Sequence, residues 1–141
     1  MKTEAEDVVK KSGLQYTILR ATQFHELIDR FFSQYFILPV ALLPGKLKIQ
    51  PVETRVVAER LYELSALTPV NCTYNLGGRE ILESGRRAQD WLRARRRHQW
   101  IIGIPGFGKA LNAVERGRLT CSEAAKDSIS WTQWLERKYE N

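Results

Sequence analysis

The chain has 141 residues, a formal net charge of +6 and 43% hydrophobic residues. A chain of this length can form one hydrophobic core, and folding removes roughly two-thirds of the surface that the unfolded chain exposes. The composition excludes a disordered tail, a low-complexity chain and a protein built of fixed-period repeats. We therefore expect a single domain over residues 1–141.

The sequence predicts no membrane segment. The first seven residues lack the apolar segment and the small-residue cleavage site of a secretory signal, so we expect a cytoplasmic protein. The longest apolar stretch, residues 35–43, contains Pro39 and is about half the ~20 residues that cross a bilayer. We expect neither a membrane span nor a membrane partner.

Two cysteines are the only candidates for thiol chemistry. Cys72 and Cys121 lie far apart, with neither C-x-x-C spacing nor nearby histidines. Common zinc and redox motifs need one or the other. We expect two buried free thiols and no metal site.

The first third of the chain predicts a helix, a strand and a second helix. Apolar residues at helical spacing within 5–9 precede Gly13, where the first helix should end. Residues 15–21 are rich in β-branched and aromatic side chains and predict a largely buried strand. Thr22 then offers an N-cap for a second helix. Its apolar stripe is predicted to be core, or to be left partly exposed if the chain is truncated, and consists of Phe24, Leu27, Ile28, Phe31, Phe32 and Tyr35.

The middle third predicts a connection, a helix and a strand. Three prolines between residues 39 and 51 interrupt regular structure, with a short extended piece within 46–52. A helix should begin near Glu53, and residues 72–76 form a strand that the following two glycines end. The buried face of this helix is predicted to contain Val57, Leu61 and Leu64.

The last third is predicted to be mainly helical. An Arg-rich helix is marked by apolar residues at 88, 91 and 92, a short extended segment occupies 100–104, and another helix contains 107–114. Thr120 and Ser130 each begin a capping-box pattern, and the second opens the last helix. That helix should bury Trp131, Trp134 and Leu135. The whole pattern indicates an α/β protein.

Residues 12–25 carry a family resemblance. They match the pattern S-G-L-x-x-T-I-L-R-x-x-x-F of NmrA-like proteins, which belong to the short-chain dehydrogenase superfamily. Lys2 and Glu6 also stand at the family's spacing before Ser12. Residues 50–58 resemble its Q-P-V-D-x-x-D-V-A segment, although Val56 replaces the second acidic residue. Weaker likeness continues at 74–78 and 131–135.

The resemblance implies the C-terminal portion of a Rossmann-type NAD(P)-binding fold. Residues 1–78 would complete that region, and residues 79–141 would form a small, mostly helical substrate domain. The N-terminal Gly-rich half, which would hold the dinucleotide, is lacking. In many relatives the lysine closes a Tyr-x-x-x-Lys motif, so Lys2 is the catalytic candidate implied by the family, with its tyrosine partner falling just before Met1.

The loop after the first strand is the predicted ligand site. In open α/β sheets, ligands sit beyond the carboxyl ends of the strands. His25 has two readings, a substrate donor or a packed residue in the first helical turn. We expect cofactor contacts from Arg20, Ala21, Thr22, Gln23 and Phe24, and substrate contacts from His25 and Gln50.

Two further motifs have weaker functional readings. Residues 103–110 match G-x-x-x-x-G-K but end in Ala110, which lacks the hydroxyl that a P-loop uses to bind magnesium, so a turn is favoured. The arginines within 86–97 form either a solvated helix face, with Trp91 and Trp100 in the core, or a surface for an anionic partner. We expect His98 to be exposed.

The sequence thus predicts the substrate-side part of an NAD(P)H-dependent oxidoreductase or of a dinucleotide-sensing NmrA-like protein, truncated and inactive alone. The parent would use NAD(P)H and a small-molecule substrate, whereas this chain should not bind the dinucleotide tightly. An unpaired strand edge predicts a homodimer, and we expect no nucleic-acid partner. The alternative is a stand-alone regulatory module that uses residues 86–97 to contact an anionic partner.

Overall fold

The computed structural model describes residues 2–44, 46–104 and 120–140, with backbone only for residues 2 and 3. These residues form an α/β fold of helices and short strands. In chain order the elements are α1 Lys2–Lys11, β1 Thr17–Ala21, α2 His25–Tyr35, β2 Val40–Leu43, β3 Lys48–Ile49, α3 Thr54–Ser65, β4 Cys72–Leu76, β5 Leu82–Glu83, α4 Ser84–Ala94, β6 Trp100–Gly103 and α5 Trp131–Tyr139.

The main sheet consists of β1 and β4, which run parallel with Thr17 opposite Cys72 and Ala21 opposite Leu76. Parallel strands require a long crossover, which α2 and α3 supply here. Two smaller sheets join β2 to β6 in parallel and β3 to β5 antiparallel. Within the described residues, the second edge of β1 carries no strand.

Two apolar clusters hold these elements together. The larger one joins α2, β2, α4 and α5 around Phe32, Phe36, Trp91 and Trp131. The smaller one lies under the end of β1, where Val52 and its neighbours on α3 pack against Leu19, Ala21, Phe24 and Leu76. No helix in the described ranges is long and apolar enough to cross a membrane.

The structure confirms the strand at residues 72–76, the start of α3 at Thr54 and the Ser130 cap of α5. Thr22 is not the N-cap of α2. Phe24 occupies that position, because the Thr22 hydroxyl donates to the Gln50 carbonyl instead. Residues 120–130 form no helix after Thr120, since this segment pairs with Gly77.

The predicted core was too large. In α2, only Ile28 and Phe32 of the apolar stripe are buried, while Leu27, Phe31 and Tyr35 are exposed. In α3, Val56 is buried together with the predicted Val57 and Leu64. Leu61 is exposed and lines an open cleft of about 250 Å³ between α3 and β1. In both helices the apolar stripe is wider than the face that the rest of the described chain covers, so residues at its margins stay exposed.

Trp100 and the cysteines also differ from expectation. Trp100 is 78% exposed because it lies opposite Val40 on the outer face of the β2–β6 sheet, and strand alternation turns Ile101 inward instead. Cys72 and Cys121 are free, but half-buried. His98 is exposed as predicted. The predicted 107–114 helix and most of the P-loop-like segment lie outside the described residues.

Gly78 lies very close to the backbone of Pro51. A Cβ built there would lie 1.6 Å from the Pro51 carbonyl oxygen, which is backbone and cannot rotate away. We expect Gly78→Ala to lower the free energy of unfolding by about 2–4 kcal/mol. Gly103→Ala is the matched control, because a Cβ there meets nothing within 4 Å. Urea denaturation of both variants checks this, and equal stabilities would contradict the close approach.

Candidate functional site

The loop at residues 22–25 leaves the carboxyl end of β1 and is fixed by backbone hydrogen bonds. The Thr22 amide donates to the Leu76 carbonyl at 2.9 Å, which joins the loop to the end of β4. The Val52 amide donates to the Gln23 carbonyl at 2.8 Å, and the His25 amide donates to the Val52 carbonyl at 3.3 Å. Three bonds over four residues make this a preorganised loop at the ligand edge of the sheet.

Gln50 connects this loop to two other segments. Its Nε2 donates to the Gly78 carbonyl at 2.9 Å, and its Oε1 accepts from the Cys121 amide at 2.8 Å. Its main-chain carbonyl accepts from the Thr22 hydroxyl. Gln50 is 2% exposed, so in this structure its side chain serves the junction between segments. Its predicted substrate contact stays a prediction.

His25 lies in the aromatic core. It is 1% exposed and stacks on Trp131 and Trp134, with ring centroids 5.6 and 5.7 Å away. Burial, with a smaller contribution from the charge of Arg87, lowers its pKa to about 4, while the Ile129 carbonyl acts in the opposite direction. The imidazole is therefore neutral at pH 7. Of the two readings, this position matches the packed residue; a substrate contact stays untested.

The remaining predicted cofactor residues have different surroundings. Arg20 is exposed and its Nε donates to Glu6 Oε1 at 2.9 Å, which ties β1 to α1 and lowers the pKa of the Glu6 carboxyl. Ala21 and Phe24 pack against the smaller apolar cluster. Gln23 Oε1 is buried without a hydrogen-bond donor among the described residues.

Lys2, the catalytic candidate, is the first residue of α1. Its side chain lies outside the described part of the structure, so the ribose contact and the proton-transfer role implied by the family stay predictions.

Arg87 is a buried residue that sequence reasoning placed in the solvated arginine cluster. It is 0% exposed, its carbonyl accepts from Trp131 Nε1 at 3.1 Å, and burial lowers its pKa to about 10. The helical spacing of Ser84, Arg87, Ala88 and Trp91 along one face of α4 was the available signal.

Asp29 is a second buried charge that the sequence analysis missed. It accepts from Trp91 Nε1 at 2.6 Å and from Lys138 Nζ at 2.8 Å. Burial acts to raise the pKa of its carboxyl, but the hydrogen bonds from Lys138, Tyr139 and Trp91 together lower it. Asp29 thus joins α2, α4 and α5.

The other arginines of 86–97 divide into two groups. Arg86 and Arg95 have local partners outside the groove described next, Arg86 with Asp90 and Arg95 with Ser33 and the Trp91 ring. Arg93 and Arg97, which line that groove, also contact Asp90 and the Trp91 ring, respectively. An open groove of about 880 Å³ lies at the end of α4. Its lining includes Arg93, Arg96, Arg97, His98 and the exposed Trp100.

Comparison with known proteins places this fold in a structural class. No family model matches the sequence, and no curated protein matches it. A nucleoside-diphosphate-sugar epimerase from Staphylococcus aureus superposes with a TM-score of 0.69 and 16% identity, over 95% of this chain and 56% of that one. RMD from Pseudomonas aeruginosa, solved with NADPH, gives a TM-score of 0.55 and 8% identity, over 95% and 50%.

These similarities confirm the predicted fold class, an α/β fold of the Rossmann-like type. The chain spans about half the length of the two solved structures.

His25 gives the protein a specific acid sensitivity. Its pKa falls from 6.5 to about 4 on folding, so the unfolded chain takes up a proton as the pH drops and the folded chain does not. Stability is therefore full above pH 6.5 and decreases as the pH falls towards 4, by up to about 3 kcal/mol from this group. Urea denaturation across this pH range measures it.

We expect His25→Phe to remove this part of the pH dependence, because phenylalanine cannot take up a proton. The chain's other histidine, the exposed His98, supplies the control: His98→Gln should retain the wild-type pH dependence. An unchanged slope in His25→Phe would show that other groups cause the acid sensitivity.

Proposed function

We propose that the chain is the substrate-side part of an NAD(P)H-dependent oxidoreductase or a dinucleotide-sensing NmrA-like protein, and that it is inactive alone. One observation carries this proposal: the 22–25 loop is held rigidly at the carboxyl end of two parallel strands, beside Gly77 and Gly78. That edge is where ligands bind in open α/β sheets. The NADPH in one structural neighbour supports a dinucleotide as the cofactor.

The pyrophosphate is what this chain is least equipped to hold. Dinucleotide phosphates bind to backbone amides of a glycine-rich turn at a helix N-terminus. No G-x-x-G-x-x-G pattern occurs in the 141 residues. The chain would therefore supply contacts beside the nicotinamide, and a second polypeptide region would supply the phosphate site.

Within this proposal the residues divide by role. The backbone of 22–25 and the Gln23 side chain would face the cofactor, which supplies hydride when bound. Thr22 and Gln50 would keep the loop in place through their mutual hydrogen bond. His25 would support the loop by packing on Trp131, and its neutral ring would contact substrate only if the aromatic stack opened.

Dinucleotide titration tests the proposal. We expect calorimetry of the isolated chain with NADH and NADPH to give no saturable binding at low-micromolar concentrations, because the sequence contains no G-x-x-G-x-x-G turn. Saturation in that range would contradict the proposal. The gene sequence provides a second test with a positive expected result. The reading frame upstream of Met1 should encode a strand and a G-x-x-G-x-x-G turn.

In that longer product, Gln23→Ala should weaken NADPH binding about tenfold by removing one buried acceptor. Arg93→Gln, far along α4, should leave the affinity unchanged. Equal affinities of Gln23→Ala and the unmutated product would remove the 22–25 loop from the cofactor site.

The basic groove at the end of α4 supports a second candidate, a module that binds an anionic partner. Arg93, Arg96 and Arg97 lie together around the exposed Trp100. A cationic surface with an exposed aromatic ring suits a polyanion, which gains from both charge neutralisation and contact with the ring.

Retention on heparin as a function of salt distinguishes this candidate. Arg96→Gln should reduce the slope of log affinity against log salt by about one, because one cationic contact is lost. Arg86→Gln removes the same charge from a residue paired with Asp90 and should leave the slope unchanged. Equal effects of the two variants would show that heparin binding depends only on the net charge of the protein and not on the groove.

A further inference from the structure

The guanidinium of Arg87 is a buried cation that lacks an ion-pair partner among the described residues. Its Nη2 donates to the Glu80 carbonyl at 3.1 Å and, weakly, to the Ile49 carbonyl at 3.5 Å. Its Nε and Nη1 have no acceptor within the described ranges. A buried charge without a counter-charge is costly, and open donors add to that cost.

Nearby carboxylates do not supply this counter-charge directly. Asp90, three residues along α4, is shared by Arg86 and Arg93 at 3.4 and 3.6 Å. Glu80 contacts the guanidinium through its backbone carbonyl. Both acids favour the charged form of Arg87, but burial outweighs them and lowers its pKa to about 10. Arg87 therefore stays a cation at neutral pH.

The surroundings suit an anion better than water alone. The Arg87 Cζ lies 5.7 Å from the centroid of Trp131, and His25 stacks on that same ring. Water would satisfy the open Nε and Nη1 donors of Arg87, whereas an anion would satisfy these donors and also compensate the positive charge of the guanidinium.

We propose that Arg87 forms an internal site for a compact anion, a carboxylate or a phosphate group, which its open Nε and Nη1 donors would bind. The site is separate from the 22–25 loop surface and does not depend on a dinucleotide.

Thermal denaturation of the full chain at pH 7.5 tests the site. Sodium acetate and sodium phosphate are titrated separately, with sodium chloride added to keep the ionic strength constant. We expect a saturable rise in the Tm of the wild type with one of the two anions, because a ligand that binds only the folded state stabilises it. The responding anion identifies the carboxylate or the phosphate source. A wild type without a saturable response to either anion overturns the proposal.

Substitutions then locate the response. Arg87→Met should abolish it and, without added anion, should melt no lower than the wild type, because it replaces an uncompensated buried cation by an apolar side chain. Arg86→Met is the matched control, since it removes an exposed arginine one position earlier and should keep the response. A wild-type response in Arg87→Met overturns the proposal.

If Arg87→Met fails to fold, the Arg87→Lys variant tests whether the anion binds at Arg87. Lysine keeps the charge but presents its donors differently, so we expect the midpoint anion concentration to rise about tenfold. An unchanged midpoint overturns the site. Since no dinucleotide enters these measurements, their outcome is independent of the proposed function.

Discussion

The architecture depends on a junction where four chain segments meet near the carboxyl ends of β1 and β4. Gly78 lies so close to the Pro51 carbonyl that no side chain fits between them. Gln50 bonds to Gly78 and to Cys121, and its carbonyl holds the Thr22 hydroxyl. A glutamine can do this because its side chain carries a donor and an acceptor, and both are satisfied inside the protein.

The junction explains why the 22–25 loop is ordered although loops at sheet edges often are not. Its amides and carbonyls bond to Leu76 and Val52, and Phe24 packs into the smaller apolar cluster. The same arrangement leaves little freedom for Gln50 to contact a ligand. It also directs His25 towards the tryptophans of α5. Among the side chains of the loop, Gln23 keeps a buried carbonyl oxygen without a donor in the described residues.

Regular periodicity was readable from the sequence, whereas burial and pairing were not. The strands at 17–21 and 72–76 and the helices at 54 and 131 follow from apolar spacing and capping residues. The exposure of Trp100 depends on its register with Val40, which no local pattern encodes. The strand pattern at 15–21 also placed the following loop at the end of β1, but Gln50's hydrogen bonds join residues up to 71 positions apart, which no local pattern predicts.

The arginines of α4 show why composition alone misleads about function. Arg86, Arg87 and Arg95 are neighbours in a cationic run, yet they occupy a surface ion pair, a buried position and an aromatic stack, respectively. Helical periodicity separates them, because residues three and four apart share a face and adjacent ones do not. The buried face of α4 packs with Asp29 and the tryptophans into the larger cluster, built from elements of this chain alone. The 22–25 loop packs instead on the smaller cluster, through Phe24.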